Sequence, residues 1–215
     1  MRLIHYVLPL CLGTLALAGV KAPFPDPATD ITAPAGEHKA VAVLAGGCFW
    51  GVEGVFDRVK GVSKVVSGFA GGEKSTAHYR VVTSGRTGHA ESVEITYDPS
   101  QITYGQLLKV YFAVAHDPTE LNRQGPDEGT QYRSAIFYAN EDQKRVAEAY
   151  IQQLDAAKVF RHKIVTQVVP LNGFYAAEEY HQHFLDRNPD NAYIVYNDLP
   201  KLRALKKQLP ELCKR

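Results

Sequence analysis

Val41-Ala42-Val43-Leu44-Ala45-Gly46-Gly47-Cys48-Phe49-Trp50 reads as a strand, a tight turn and the start of a helix. The apolar run has the length of a buried strand, the two glycines permit a sharp reversal, and the apolar positions then change to helical spacing at Phe49, Val52 and Phe56. This puts Cys48 at a helix N-terminus. Unpaired backbone amides and the positive end of the helix dipole favour an anion there, which biases a thiol toward thiolate. Trp50 falls off the Phe49, Val52, Phe56 stripe and is free to wall a pocket beside the sulfur. The alternative is a buried structural cysteine at the end of a strand.

A chain of 215 residues with 45% hydrophobic and 22% charged residues has the makings of one ordinary globular domain, expected over 38–215. A net charge of +1, with no basic run outside the C-terminal tail, argues against nucleic acid or an anionic membrane as partner and fits a small neutral substrate. Residues 1–18 are a different kind of segment. Met1-Arg2 gives a positive start, an apolar run follows, and Ala16-Leu17-Ala18 matches a small-x-small cleavage site. The expectation is export, to the periplasm, with cleavage and no stable membrane association afterwards; the alternative is an uncleaved membrane anchor formed by residues 3–20. Residues 19–37, with Pro23, Pro25, Pro27 and Pro34, read as an extended, disordered linker.

Cleavage would remove Cys11 and leave Cys48 and Cys213. An even pair in an exported protein reads as a structural disulfide, whereas a domain of this size needs no such staple and Cys48 sits where a reactive thiolate belongs. His181-Gln182-His183 is the nearest thing to a metal-ligand cluster, but residues two apart on a helix face different ways, so no metal is expected.

In Ala90-Glu91-Ser92-Val93-Glu94-Ile95-Thr96-Tyr97 strict alternation places Glu91, Val93, Ile95 and Tyr97 on one apolar face. A carboxyl there is desolvated and retains its proton near neutral pH, as a general acid must. A frayed strand start reaching water is the competing reading. Thr103-Tyr104-Gly105-Gln106 matches a capping box, and Asn140 begins a further helix. From Asp117 to Gln131 no periodicity is visible, which marks a functional or disordered loop; Asp127 and Tyr132 lie at its far end. The order of elements suggests an α+β layered domain related to split βαβ (ferredoxin-like) folds.

These features together resemble the A-type peptide methionine sulfoxide reductase family. The resemblance is carried by Gly47-Cys48-Phe49-Trp50, Gly68 with Ala70-Gly71-Gly72, Tyr79, Gly85, Thr87-Gly88-His89-Ala90-Glu91, Tyr97-Asp98-Pro99, His116-Asp117-Pro118, Arg123-Gln124-Gly125, Asp127, Gly129 to Ser134 and Tyr180-His181-Gln182. It implies a mixed-sheet α+β fold, and reduction of the S epimer of methionine sulfoxide without metal or organic cofactor. Cys48 would be the nucleophile, Glu91 the acid, Tyr79 and Tyr132 the donors to the sulfoxide oxygen, and Phe49 and Trp50 the holders of the S-methyl group. Asp127 and His181 would support the site. A thioredoxin-like reductant would recycle the enzyme, with Cys213 as a candidate resolving thiol. Phe69 stands where the family commonly has Tyr, and the C-terminal region lacks the glycine-rich segment that often carries recycling cysteines. A cysteine hydrolase, a thiol peroxidase and an exported binding domain whose cysteines form a disulfide are the rival readings; neither enzyme rival has a clear use for a buried acid facing the thiol.

Overall fold

The computed structural model describes residues 24–34 and 36–214. The expected signal segment, its cleavage site and Cys11 lie outside the described residues.

The opening motif forms as read: strand β1 spans Ala40–Gly46 and helix α1 spans Phe49–Asp57. Strand β2 is Val62–Ala70, helix α2 is Tyr79–Val82, and strand β3 is Ala90–Tyr97. Helix α3, Tyr104–Val110, carries the expected capping box, Thr103 accepting from the Gln106 amide, and continues as a π-helical turn over Tyr111–Ala115. The segment that lacked periodicity contains a small hairpin of β4 (Arg123–Gln124) and β5 (Asp127–Glu128), then a 3-10 turn over Thr130–Tyr132. Strand β6 is Ser134–Tyr138, helix α4 is Glu141–Ala156, and β7 and β8 are Gln167–Pro170 and Phe174–Ala176. Phe174–Ala176 forms a sheet edge. Helix α5 is Phe184–Arg187, a π-helical turn covers Ile194–Asp198, and α6 is Leu199–Gln208.

The main sheet is mixed, in the order β7-β6-β1-β3-β2-β8. β1 is antiparallel to β3 and β6, β3 is antiparallel to β2, and β7 runs parallel to β6. Leu44 pairs with Val93, so the last residues of β1 and the first of β3 leave the sheet side by side. This register brings the Phe49 amide, next to Cys48, onto Glu91 although 42 residues separate the two.

One face of the sheet is covered by helices. Leu44, Val65, Val93, Ile95 and Ile136 share a core with Phe49, Val52 and Phe56 of α1, Leu107 and Leu108 of α3, Tyr150 of α4 and Leu205 of α6. The other face holds a smaller cluster in which Ala45, Ala70, Ala90 and Ala135 surround Phe137.

The proline-rich segment departs from the disordered linker expected of it, because residues from Phe24 to Ile31 dock on α3 and α4. Phe24 meets the edge of Phe160, Tyr150 Oη donates to the Pro25 carbonyl at 2.6 Å, and Lys109 pairs with Asp26 at 2.7 Å. Asp30 accepts from the Gly105 amide and from the Thr103 hydroxyl, which completes the cap of α3. Proline lowers the entropy lost on docking, and these polar partners supply the contacts that a composition count does not show.

Candidate active site

Cys48 immediately precedes α1 and is 7% exposed. Gly47 turns the chain there at a φ of 86°, and the space a Cβ would need is taken by the Gln124 side chain. Gln124 is itself fixed by two bonds of 3.0 Å to the backbone of Asp117. The β4–β5 hairpin thus rests directly on the turn that carries Cys48. Below the turn a buried network holds the end of β1. Tyr111 Oη donates to the Ala45 carbonyl at 2.7 Å, and His116 Nε2 lies 2.7 Å from Ser134 Oγ. Burial lowers His116 to about 3, so it is a neutral imidazole there.

Glu91 is 2% exposed, and its Oε2 accepts the Phe49 backbone amide at 3.1 Å. Burial pushes its carboxyl up to about 8, with the Phe49 amide opposing and Asp127 adding to the rise. The strand-end alternative fails: Glu91 does not reach water, because it lies on the helix-covered face. Cys48 differs from expectation in its protonation. Burial pushes its thiol well above the ordinary value, and the charges of Glu91 and Asp198 push it further, against the Trp50 amide and Lys201. Desolvation outweighs the helix terminus, so the resting group is a thiol rather than the thiolate expected from the dipole alone.

Three phenols converge on this pair. Tyr79, in α2, is half-buried and pushed up to about 12 by burial and then by the charges of Glu91 and Cys48. Tyr132 is raised by burial, then by Glu91 and Asp127. Tyr193 is raised by burial and then by Cys48, and its hydroxyl donates to Asp127 Oδ2. All three remain neutral donors.

Trp50 donates through Nε1 to His181 Nδ1 at 3.2 Å and stacks on Phe184, with ring centroids 3.8 Å apart at 13°. Tyr193 meets Trp50 edge-on, and Tyr79 packs 4.3 Å from the His181 ring. Phe49 is fully buried between Phe69 and His181. His181, itself buried, is thus the hub of an aromatic wall. Burial lowers its basicity, which keeps Nδ1 available to accept from Trp50.

Cys48, Phe49, Trp50, Tyr79, Glu91, Asp127, Tyr132 and His181 therefore gather in one place. Cys213 is buried and carries a free thiol, as does Cys48, so no disulfide joins them. It bridges to Val59, and around it Lys60 donates to the Leu212 carbonyl and Lys214 to the Arg58 carbonyl. The tail beyond Pro210 is thus pinned. Four residues of the cluster escaped the sequence reading: Tyr193, Phe184, Asp198 and Lys201. The polar pair Asn197-Asp198, set between Ile194-Val195-Tyr196 and Leu199, was the one available signal.

His181 and His183 diverge as anticipated, His183 turning to Asp57 at 3.1 Å. Among the described residues, the one grouping of metal-ligand types is Glu53, Asp57 and His183, apart from the Cys48 cluster. Burial holds the Glu53 carboxyl up to about 7, and Asp57 already occupies the imidazole nitrogen.

A thiol, a protonated acid and phenols around an aromatic wall form a recognisable set. The family model described as peptide methionine sulfoxide reductase matches residues 40–212. The chain belongs to the peptide methionine sulfoxide reductase family. It is 64% identical over 171 residues to peptide methionine sulfoxide reductase MsrA 2 of Mesorhizobium japonicum, covering 80% of this chain and 88% of that one. A protein of the same name from Synechocystis sp. is 48% identical across 96% of this chain and 98% of its own. The crystal structure of Mxr1 from Saccharomyces cerevisiae in reduced form superposes with a TM-score of 0.64 at 36% identity, covering 76% of this chain and 92% of that one. As a member of this reductase family the chain is an oxidoreductase.

Proposed function

We propose that this chain reduces methionine S-sulfoxide, free and in proteins, with Cys48 as nucleophile and Glu91 as proton donor. The observation that carries the reading is the buried contact between Glu91 and the first turn of α1, which keeps a protonated carboxyl beside the thiol. Attack of the Cys48 sulfur on the sulfoxide sulfur drives negative charge onto the sulfoxide oxygen. The Glu91 proton and the Tyr79 and Tyr132 hydroxyls stabilise that charge as it develops, so they act more on the transition state than on the ground state. Trp50 holds the S-methyl group with Phe49 behind it, while Asp127 and His181 support the site. The products are methionine and a Cys48 sulfenic acid: the oxygen moves from one sulfur to the other, the substrate gains two electrons and the cysteine loses two. Two thiols then return Cys48 to its reduced form, releasing water and leaving a disulfide. A thioredoxin-like protein supplies them, either directly or through Cys213.

The core β1-α1-β2-β3-α3-β6, with β1 and β2 on either side of β3, supports reading the fold as a split βαβ arrangement. The charged start and apolar run support export to the periplasm with cleavage near Ala18. N-terminal sequencing of protein from the native host tests this, and an intact Met1 on membrane-bound material would favour the anchor.

Incubating the protein and a dithiol with both epimers of a methionine sulfoxide peptide tests the activity. Consumption of the S epimer alone is expected. Consumption of neither, or of the R epimer, would overturn the reading.

A further inference from the structure

Beneath the first turn of α1 lies a charged pair that the chemistry above does not use. Asp198 is fully buried, and its Oδ1 accepts Lys201 Nζ at 3.1 Å; Oδ2 has no hydrogen-bond partner among the described residues. The Lys201 side chain is 16% exposed. Both groups press on Gly51, where a Cβ would overlap Asp198 Oδ1 and lie 2.7 Å from Lys201 Nζ. Gly51 follows Cys48 by three residues, so the two occupy one side of the first helical turn. The ammonium is thus held against the nucleophile's own turn by α6, and glycine at position 51 permits that approach.

We propose that Lys201 is a positioning residue for the nucleophile: its ammonium, anchored by Asp198 against Gly51, stabilises the Cys48 thiolate that forms when the thiol gives up its proton. The proposal rests on reading Cys48 as the nucleophile. The groups facing the sulfur from the other elements are unsuited to this task. Glu91 from β3 and Asp198 from the π-helical turn are acids, and Tyr79, Tyr132 and Tyr193 are neutral phenols. Asp127, from the hairpin, is a further acid, and His116 is kept neutral by burial. Lys201 acts on Cys48 in the opposite sense to the two acids, as the Trp50 amide does. A buried thiolate among carboxylates needs such a cation, because desolvation and like charge otherwise hold the proton on sulfur. Asp198 fixes the ammonium in place and, by partly neutralising it, limits its effect.

The test is the pH dependence of Cys48 alkylation by iodoacetamide in the full chain, read by mass on the Cys48 peptide. Lys201→Met is expected to raise the midpoint by about one pH unit, slowing alkylation about tenfold at neutral pH. Lys201→Arg should restore it, and Asp198→Asn should lower it, because it removes an acid that itself holds the proton on the sulfur as well as the counter-charge of the ammonium. An unmoved midpoint in folded Lys201→Met, or a rise in Asp198→Asn, overturns the proposal. Should Lys201→Met fail to fold, Lys201→Gln, which can keep a hydrogen bond to Asp198 without the charge, takes its place with the same expected rise. Alkylation reports the thiol without turnover, so these outcomes stand apart from failure of the sulfoxide assay.

Discussion

The backbone amide of Phe49 donates to Glu91 Oε2 at 3.1 Å, so the helix that follows Cys48 starts on a buried carboxyl. One carboxyl oxygen is occupied by that amide, which leaves the other to carry the proton. Glu91→Gln preserves size and the acceptor but has no acidic proton, and should slow single-turnover sulfoxide reduction by about 100-fold. The parent's rate should fall as pH passes through about 8, where Glu91 ionises, and the variant should lack that limb. An unaltered rate in the variant would return Glu91 to a structural role.

The same group sets a stability trend. Folded Glu91 holds its proton to about 8 and an ordinary carboxyl only to 4.5, so between those values the folded state binds more protons. Stability must then fall as pH rises through that window, and the contribution is complete only below it. Thermal melts across the window should show Glu91→Gln losing less stability than the parent.

Cys48→Ser should fold normally and show no reduction, because a hydroxyl lacks the thiol's nucleophilicity. Turnover by a folded Cys48→Ser protein would sink the mechanism.

Asp30→Ala removes the partner of the Gly105 amide and the Thr103 hydroxyl at the start of α3. A loss of about 1 to 2 kcal/mol in denaturant unfolding is expected, from leaving the Gly105 amide and the Thr103 hydroxyl without their acceptor. No loss would mean that the docked segment adds nothing to the domain.

Much of this was legible in the sequence where a local signal and its period agreed. The strand and helix around Cys48, the alternation that buries Glu91 and the Thr103 capping box all depend on neighbours in the chain. Tyr193 and Lys201 were not legible, because their roles arise from α6 and its preceding turn folding back on α1, about 150 residues away, and no short-range pattern encodes that return. The thiol's protonation was misjudged for a related reason: the dipole is a local property, while the desolvation that outweighs it is assembled from α1, β3 and the π-helical turn together. The docked segment before β1 illustrates the converse, since its prolines and small residues describe a chain that is cheap to order without naming what it binds.

Adding one equivalent of methionine sulfoxide to the reduced protein and mapping thiols by mass should distinguish the two recycling routes. A Cys48 to Cys213 crosslink supports an internal disulfide. Loss of the Cys48 thiol alone, with Cys213→Ser fully active toward thioredoxin, makes this a one-cysteine enzyme.

The pinned tail turns that internal route into a race. Cys213 becomes available only when its bridge to Val59 and the Lys214 bond to the Arg58 carbonyl open together, a local unfolding step that precedes any sulfur chemistry. While the tail stays closed the oxidised Cys48 waits, and a waiting sulfenic acid is open to a second, irreversible oxidation by peroxide. Its working lifetime under oxidant would therefore be governed by how readily its last few residues let go, and loosening the Lys60 and Lys214 clasps should lengthen it.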